Sequence, residues 1–177
     1  MAKHIKSDVL KAIICRKVQK DGFAVICIDG SCMAPVICDG EMVVIVKSNC
    51  YQVGDVVLVY VSKSLRVHRI VKLIGDTCIT KGDHAVFVDP IDQHKPEIIG
   101  LVSENITKRL TCYRVPLISR LISYLSLFAS SVRKRFKMKI GISFINKIIN
   151  LLSQIELCYL KYQGEKVVRL ANHKITK

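Results

Sequence analysis

The hydrophobic pattern changes period twice along the chain. From Ser7 to Val18, the residues Val9, Leu10, Ile13, Ile14 and Val18 recur at helical spacing, with Ser7 or Asp8 able to cap the start and Asp21-Gly22 ending the segment. One amphipathic helix is predicted there. Short β-rich runs follow: Phe23 to Ile28, Met42 to Val46, Val56 to Val61, Val67 to Leu73, Thr77 to Thr80, and Ile98 to Val102. They are separated by Asp39-Gly40, Gly54-Asp55, Gly75-Asp76 and Gly82-Asp83. Strands so punctuated predict a mainly β domain, a coiled antiparallel sheet rather than βαβ units.

Beyond Arg114 the period returns to that of a helix. Ile118, Leu121, Ile122, Leu125, Phe128, Ala129 and Val132 fall on one face, with Ser119, Ser123, Ser126 and Ser130 among the polar positions. A second stripe, Ile145, Ile148, Ile149, Leu152 and Ile155, follows the cluster Arg133-Lys134-Arg135-Phe136-Lys137-Met138-Lys139. The uncharged run Leu121 to Val132 is shorter than the ~20 residues of a spanning helix, so these helices are expected to lie in a membrane interface rather than cross it.

A length of 177 residues, half of them hydrophobic, fits one packed core with an appendage and makes a two-domain cofactor enzyme a poor fit. Charge divides the chain the same way. Residues 1–106 hold 13 basic and 12 acidic side chains, net +1, whereas residues 107–177 hold 15 and 2, net +13. The expected units are therefore a β domain at 1–112 and a basic amphipathic helical tail at 113–177. An excess of this size seeks an anionic partner.

Cysteine use adds little chemistry at most positions. Of the eight, those in runs such as Ala-Val-Ile-Cys27 and Ala-Ile-Ile-Cys15 read as small core hydrophobes kept reduced. No C-x-x-C occurs and the histidines are scattered, so neither a metal nor a cofactor is expected. The N-terminal stretch Met-Ala-Lys-His-Ile-Lys-Ser-Asp has no apolar h-region. The β domain is expected on the cytoplasmic side, with the tail holding it peripherally at the inner face of the membrane.

Cys32 is the exception. Asp29-Gly30-Ser31-Cys32-Met33-Ala34-Pro35 places a nucleophile-capable side chain after small residues between a strand and a turn. Val67-His68-Arg69-Ile70-Val71 centres a histidine on a strand, and Lys81 to Asp89 supplies Asp83 and Asp89 after a turn. A thiol attacks an acyl carbon as thiolate, which imidazole generates while an acid on the far ring nitrogen fixes the tautomer.

Together with their flanks, these blocks resemble, in order, the superfamily of type I signal peptidases and self-cleaving SOS-response repressors, over roughly residues 22–103. Gly30 to Pro35 is similar to the G-x-S-M-x-P nucleophile box; Asp39-Gly40-Glu41-Met42-Val43 and Gly54-Asp55-Val56-Val57 resemble the two G-D-x-V strand starts. Val67 to Val71 is similar to the general-base strand, Lys81-Gly82-Asp83 to the K-G-D turn, and Ile99-Gly100-Leu101-Val102 to the closing strand. The resemblance puts Cys32 where the family has its serine and His68 where one branch has a histidine base. Asp89, six residues beyond Asp83, falls where that branch completes its triad. Asp83, Ser31 and Met33 become supporting residues.

Two departures qualify the resemblance. Cysteine replaces serine, which admits an active thiol peptidase or an inactive homologue retained as a peptide-binding module docked to a membrane. Gly30 stands where many relatives have a side-chain oxyanion donor, leaving the Cys32 backbone N–H and the Ser31 hydroxyl for that task. The resemblance implies a peptide or precursor-protein substrate, with leader or signal segments cleaved next to small side chains and bound as an added strand. Nucleic acid is not expected: one N-terminal helix is too little for a helix-turn-helix, and the tail's apolar faces suit lipid better than base stacking.

Overall fold

The computed structural model describes residues 7–75, 77–90, 96–108, 110–111, 116–136 and 140–175. The predicted turn residue Asp76, the boundary at 112/113 and residues 137–139 of the cationic cluster lie outside them. An N-terminal helix, α1 (Ser7–Asp21), is followed by β1 (Phe23–Cys27), β2 (Met42–Val46), β3 (Val56–Val61), β4 (Ser64–Ile74), β5 (Thr77–Lys81), β6 (Glu97–Asn105) and β7 (Leu110–Thr111). Two helices close the chain, α2 (Pro116–Phe136) and α3 (Ile140–Ile175). The strands form one sheet in the order β1-β2-β6-β3-β4-β5, with β7 on β6 and every pairing antiparallel. The expected architecture, a β core between an N-terminal helix and a helical tail, is the one observed.

Strand β3 explains why this sheet needs cover on both faces. Its alternate side chains Val56 and Leu58 join a core with Ile14 and Val18 of α1 and with Met33 and Ile37. Val57, Val59 and Val61 join a second core with Ile70 and Cys78. The predicted helix over 7–18 forms, and Gly22, at φ 80°, closes it by donating its N–H to the Val18 carbonyl at 3.1 Å. Only Ile14 and Val18 of its predicted stripe are buried; Val9, Leu10 and Ile13 face outward. The N-terminal half is held instead by polar contacts, Lys11 to Glu97 and Tyr60 to Asp8.

Strand β4 begins three residues earlier than its hydrophobic run suggests. The turn from β3 uses Ser62 and Lys63, both at positive φ (49° and 60°), a conformation usually announced by Asn or Gly. The polar segment Ser64 to Arg66 is thereby recruited into the ladder, with Tyr60 opposite Leu65 and Val59 opposite Arg66.

The serine face of α2 is not its solvent face. Ser119, Ser123 and Ser126 are buried along with Ile122 and Ala129. Small side chains permit close approach: a Cβ on Gly54 would stand 2.8 Å from the Ser119 Cβ. Ser123 Oγ donates to the Ile70 carbonyl at 3.2 Å, tying α2 to β4. The charged core of this contact is Arg69. Its guanidinium, 0% exposed, forks onto Asp83 at 2.9 and 2.8 Å, bonds Glu156 of α3 at 2.8 Å and reaches the Gly54 carbonyl at 2.9 Å. Ser119 donates to the same Glu156.

Removing Arg69 would take the guanidinium away from two buried carboxylates, Asp83 and Glu156. Arg69→Leu is therefore expected to lower stability by about 3–5 kcal/mol in urea unfolding; a loss under about 1 kcal/mol would contradict this account of the core.

Candidate active site

The turn that carries Cys32 is fixed from both sides. Gly30, at φ 104°, takes a backbone conformation few other residues adopt, and its N–H donates to the Asp39 carboxylate at 2.7 Å. Met33, Val36 and Ile37 are buried in the core, so Met33 anchors the turn. A polar cluster supports the turn's far end. Glu41 accepts the Cys38 N–H at 3.0 Å and the Asn105 amide at 2.6 Å, while Lys108 bonds Glu41 at 2.9 Å and the Pro35 and Val36 carbonyls at 3.0 Å.

His68 arrives from β4, where strand alternation sends it and Arg69 to opposite faces. One residue thus serves the site while the next serves the helix pair. His68 Nδ1 lies 2.6 Å from Asp89 Oδ2, and the Cys32 thiol points to the same stretch of β4, 4.0 Å from the Val67 carbonyl. Gly82 packs where the two residues meet. A Cβ at that position would stand 3.1 Å from both the Cys32 Cβ and His68 Nε2, and 2.6 Å from the Cys32 carbonyl. The next turn clasps the same backbone, since the His84 N–H donates to the Cys32 carbonyl at 2.9 Å.

Asp89 is buried but not isolated. Besides His68 it accepts the Thr80 hydroxyl at 2.6 Å and Arg66 Nη1 at 2.8 Å, and its own N–H returns to the Thr80 carbonyl at 2.8 Å. Burial favours its neutral form, yet these donors and the neighbouring positive charges hold the carboxyl below its usual range. For His68 the contest runs the same way: burial opposes the charge, but Asp89 and Cys32 outweigh it and push the imidazole up to about 9. The imidazolium–carboxylate pair contributes fully to stability below the ordinary value of 6.5 and is lost as pH rises through about 9.

The structure thus brings Cys32, His68 and Asp89 together. Asp83 is committed to Arg69, and its chain neighbours Gly82 and His84 are the ones that meet Cys32. Ser31 is exposed in the turn beside Cys32. The sequence reading missed Arg66 and Thr80. Arg66 stands two residues before His68 and therefore on its face of the strand, a spacing that could have identified it. Lys108, Asn105 and Glu156 carry no such local signal, because their partners are distant in sequence. Among the described residues, no group of His, Cys, Asp and Glu is arranged to hold a metal ion.

This arrangement can generate a thiolate beside a positively charged imidazole, with a carboxylate fixing the ring. In comparisons with known proteins, the Peptidase S24-like family matches residues 3–103, which includes all three of these residues. No match was found among curated proteins.

In a histidine ring-proton NMR titration, His68 should turn over near pH 9, and Asp89→Asn should move the midpoint down. A wild-type midpoint below 6.5 would mean that burial, not Asp89 and Cys32, governs the ring.

Proposed function

The chain belongs to the Peptidase S24-like family, which carries a peptidase-type function, and on that premise we propose that it is a thiol peptidase acting through Cys32, His68 and Asp89. The observation that carries the proposal is His68 held by Asp89 at 2.6 Å through Nδ1 while its Nε2 and the Cys32 side chain meet beside Gly82. With the Cys32 proton held on His68 as a thiolate–imidazolium pair, the thiolate adds to the scissile carbonyl carbon, forming a C–S bond and an oxyanion. Collapse breaks the C–N bond as the imidazolium gives its proton to the leaving amine. Water, deprotonated by His68, then hydrolyses the thioester, releasing the acid and regenerating the thiol. Asp89 holds the ring and favours its charged form throughout. Its own proton uptake is opposed by Arg66 and Thr80.

The substrates we infer are precursor peptides whose leader or signal segments lie extended against the sheet, with small side chains before the cleaved bond. Gly30 brings no side chain to the oxyanion, and its N–H is taken by Asp39. The Cys32 N–H and the Ser31 hydroxyl are left to serve, at a cost of about 10²-fold in rate. The same feature favours the second reading, an inactive fold that still holds peptide.

The two readings separate on one comparison. Incubated with extended precursor peptides, wild-type protein should release fragments, Cys32→Ala none, and Cys32→Ser a measurable residue of activity, as read by mass spectrometry. Undiminished cleavage by Cys32→Ala would place the activity elsewhere, and retained peptide binding without cleavage by wild type would support the binding module.

A further inference from the structure

The helix pair mixes polar side chains into its buried faces and leaves large apolar ones outside. On α2, Ser119, Ser123 and Ser126 recur at i, i+4 and i+7 on the buried face; on α3, Ser153 and Glu156 are buried with Ile149 and Leu160. The opposite faces carry Leu121, Tyr124 and Phe128 on α2 and Leu151, Ile155 and Tyr159 on α3, all exposed. Tyr124 and Phe128 are 66% and 58% accessible, an arrangement a water-facing surface does not favour. Small hydroxyls and a carboxylate on the buried faces, with Ser119 of α2 donating to Glu156 of α3, and large apolar and aromatic side chains outside, is the distribution expected of helices whose surroundings are less polar than their contact.

We propose that α2 and α3 form a lipid-facing pair that seats the protein in the interface of an anionic bilayer through this outward stripe. The charge of this segment favours lipid over other occupants. The segment from residue 107 onward carries net +13, which attracts an anionic leaflet and repels a second copy of the chain. Tyrosines within the stripe suit the headgroup boundary, where one end of the ring is wet and the other apolar. Among the described residues no helix is long and apolar enough to cross a membrane, so the pair lies along the interface. Through Glu156 and Arg69 the seated pair is fastened to the strand that carries His68.

The test uses the full chain with vesicles of phosphatidylcholine alone and of phosphatidylcholine with phosphatidylglycerol. Wild-type protein should co-sediment with the anionic vesicles at low salt and less so at high salt. The variant Leu121→Ser/Phe128→Ser/Tyr159→Ser, changed only at exposed positions, should keep its circular dichroism and bind at least about tenfold more weakly. Tyr124→Ser alone should lie between them. Binding equal in wild type and triple variant would reduce the attraction to charge and overturn the lipid-facing stripe. A wild-type dimer that ignores vesicles and is dispersed by the triple variant would assign the face to a second copy, and a vesicle-blind protein that shifts DNA would assign the charge to nucleic acid; either overturns the proposal. Running the assay on Cys32→Ala as well separates this result from the peptidase reading, because seating does not depend on the thiol.

Discussion

A guanidinium excluded from water must be met by carboxylates, and this requirement at Arg69 organises the molecule. Arg69 pairs with Asp83 of the loop after β5 and with Glu156 of α3 while bonding the Gly54 carbonyl before β3. Three distant segments therefore close around one side chain. Burying an ion pair gains little over burying apolar groups of the same shape, but leaving any member unpaired is costly, so the network specifies the arrangement more than it stabilises it. Because Asp83 follows Gly82, and Gly82 packs on both Cys32 and His68, fixing Asp83 also fixes the wall between thiol and imidazole.

The second constraint is alternation along β4. Residues 66 and 68 share a face and meet Asp89 there, while residue 69 points away to the helices. Asp89 thus receives three donors, and its charge is what keeps a buried imidazole protonated against desolvation. The proposed thiol chemistry uses that balance. An imidazolium poised near Cys32 stabilises the thiolate and later supplies the proton that the leaving amine needs.

How much of this was legible from the sequence varied with the range of the interaction. The strands were readable because period-two apolar runs and Gly-Asp turns are local, and the family resemblance was readable because its blocks are short and ordered. The start of β4 was hidden by a turn made of Ser62 and Lys63, residues that do not advertise positive φ. The serines of α2 stand among the polar positions of the sequence because a hydropathy pattern counts a hydroxyl as polar wherever it points. Their burial depends on Gly54, Ile70 and Glu156, far along the chain. The same limit hid Lys108 and Asn105 beneath the nucleophile turn, and Glu156 on Arg69.

Activation of Cys32 by His68 is read from the alkylation rate of each cysteine, followed by mass spectrometry at limiting iodoacetamide. Cys27, Cys50 and Cys158 are exposed, whereas Cys32 is only partly so, which makes accessibility alone a clear competitor. Cys32 is nevertheless expected to react first at neutral pH, and His68→Ala to slow it by about 10²-fold without changing the other three. Alkylation of Cys32 that is slower than that of the exposed thiols and indifferent to His68→Ala would contradict that activation.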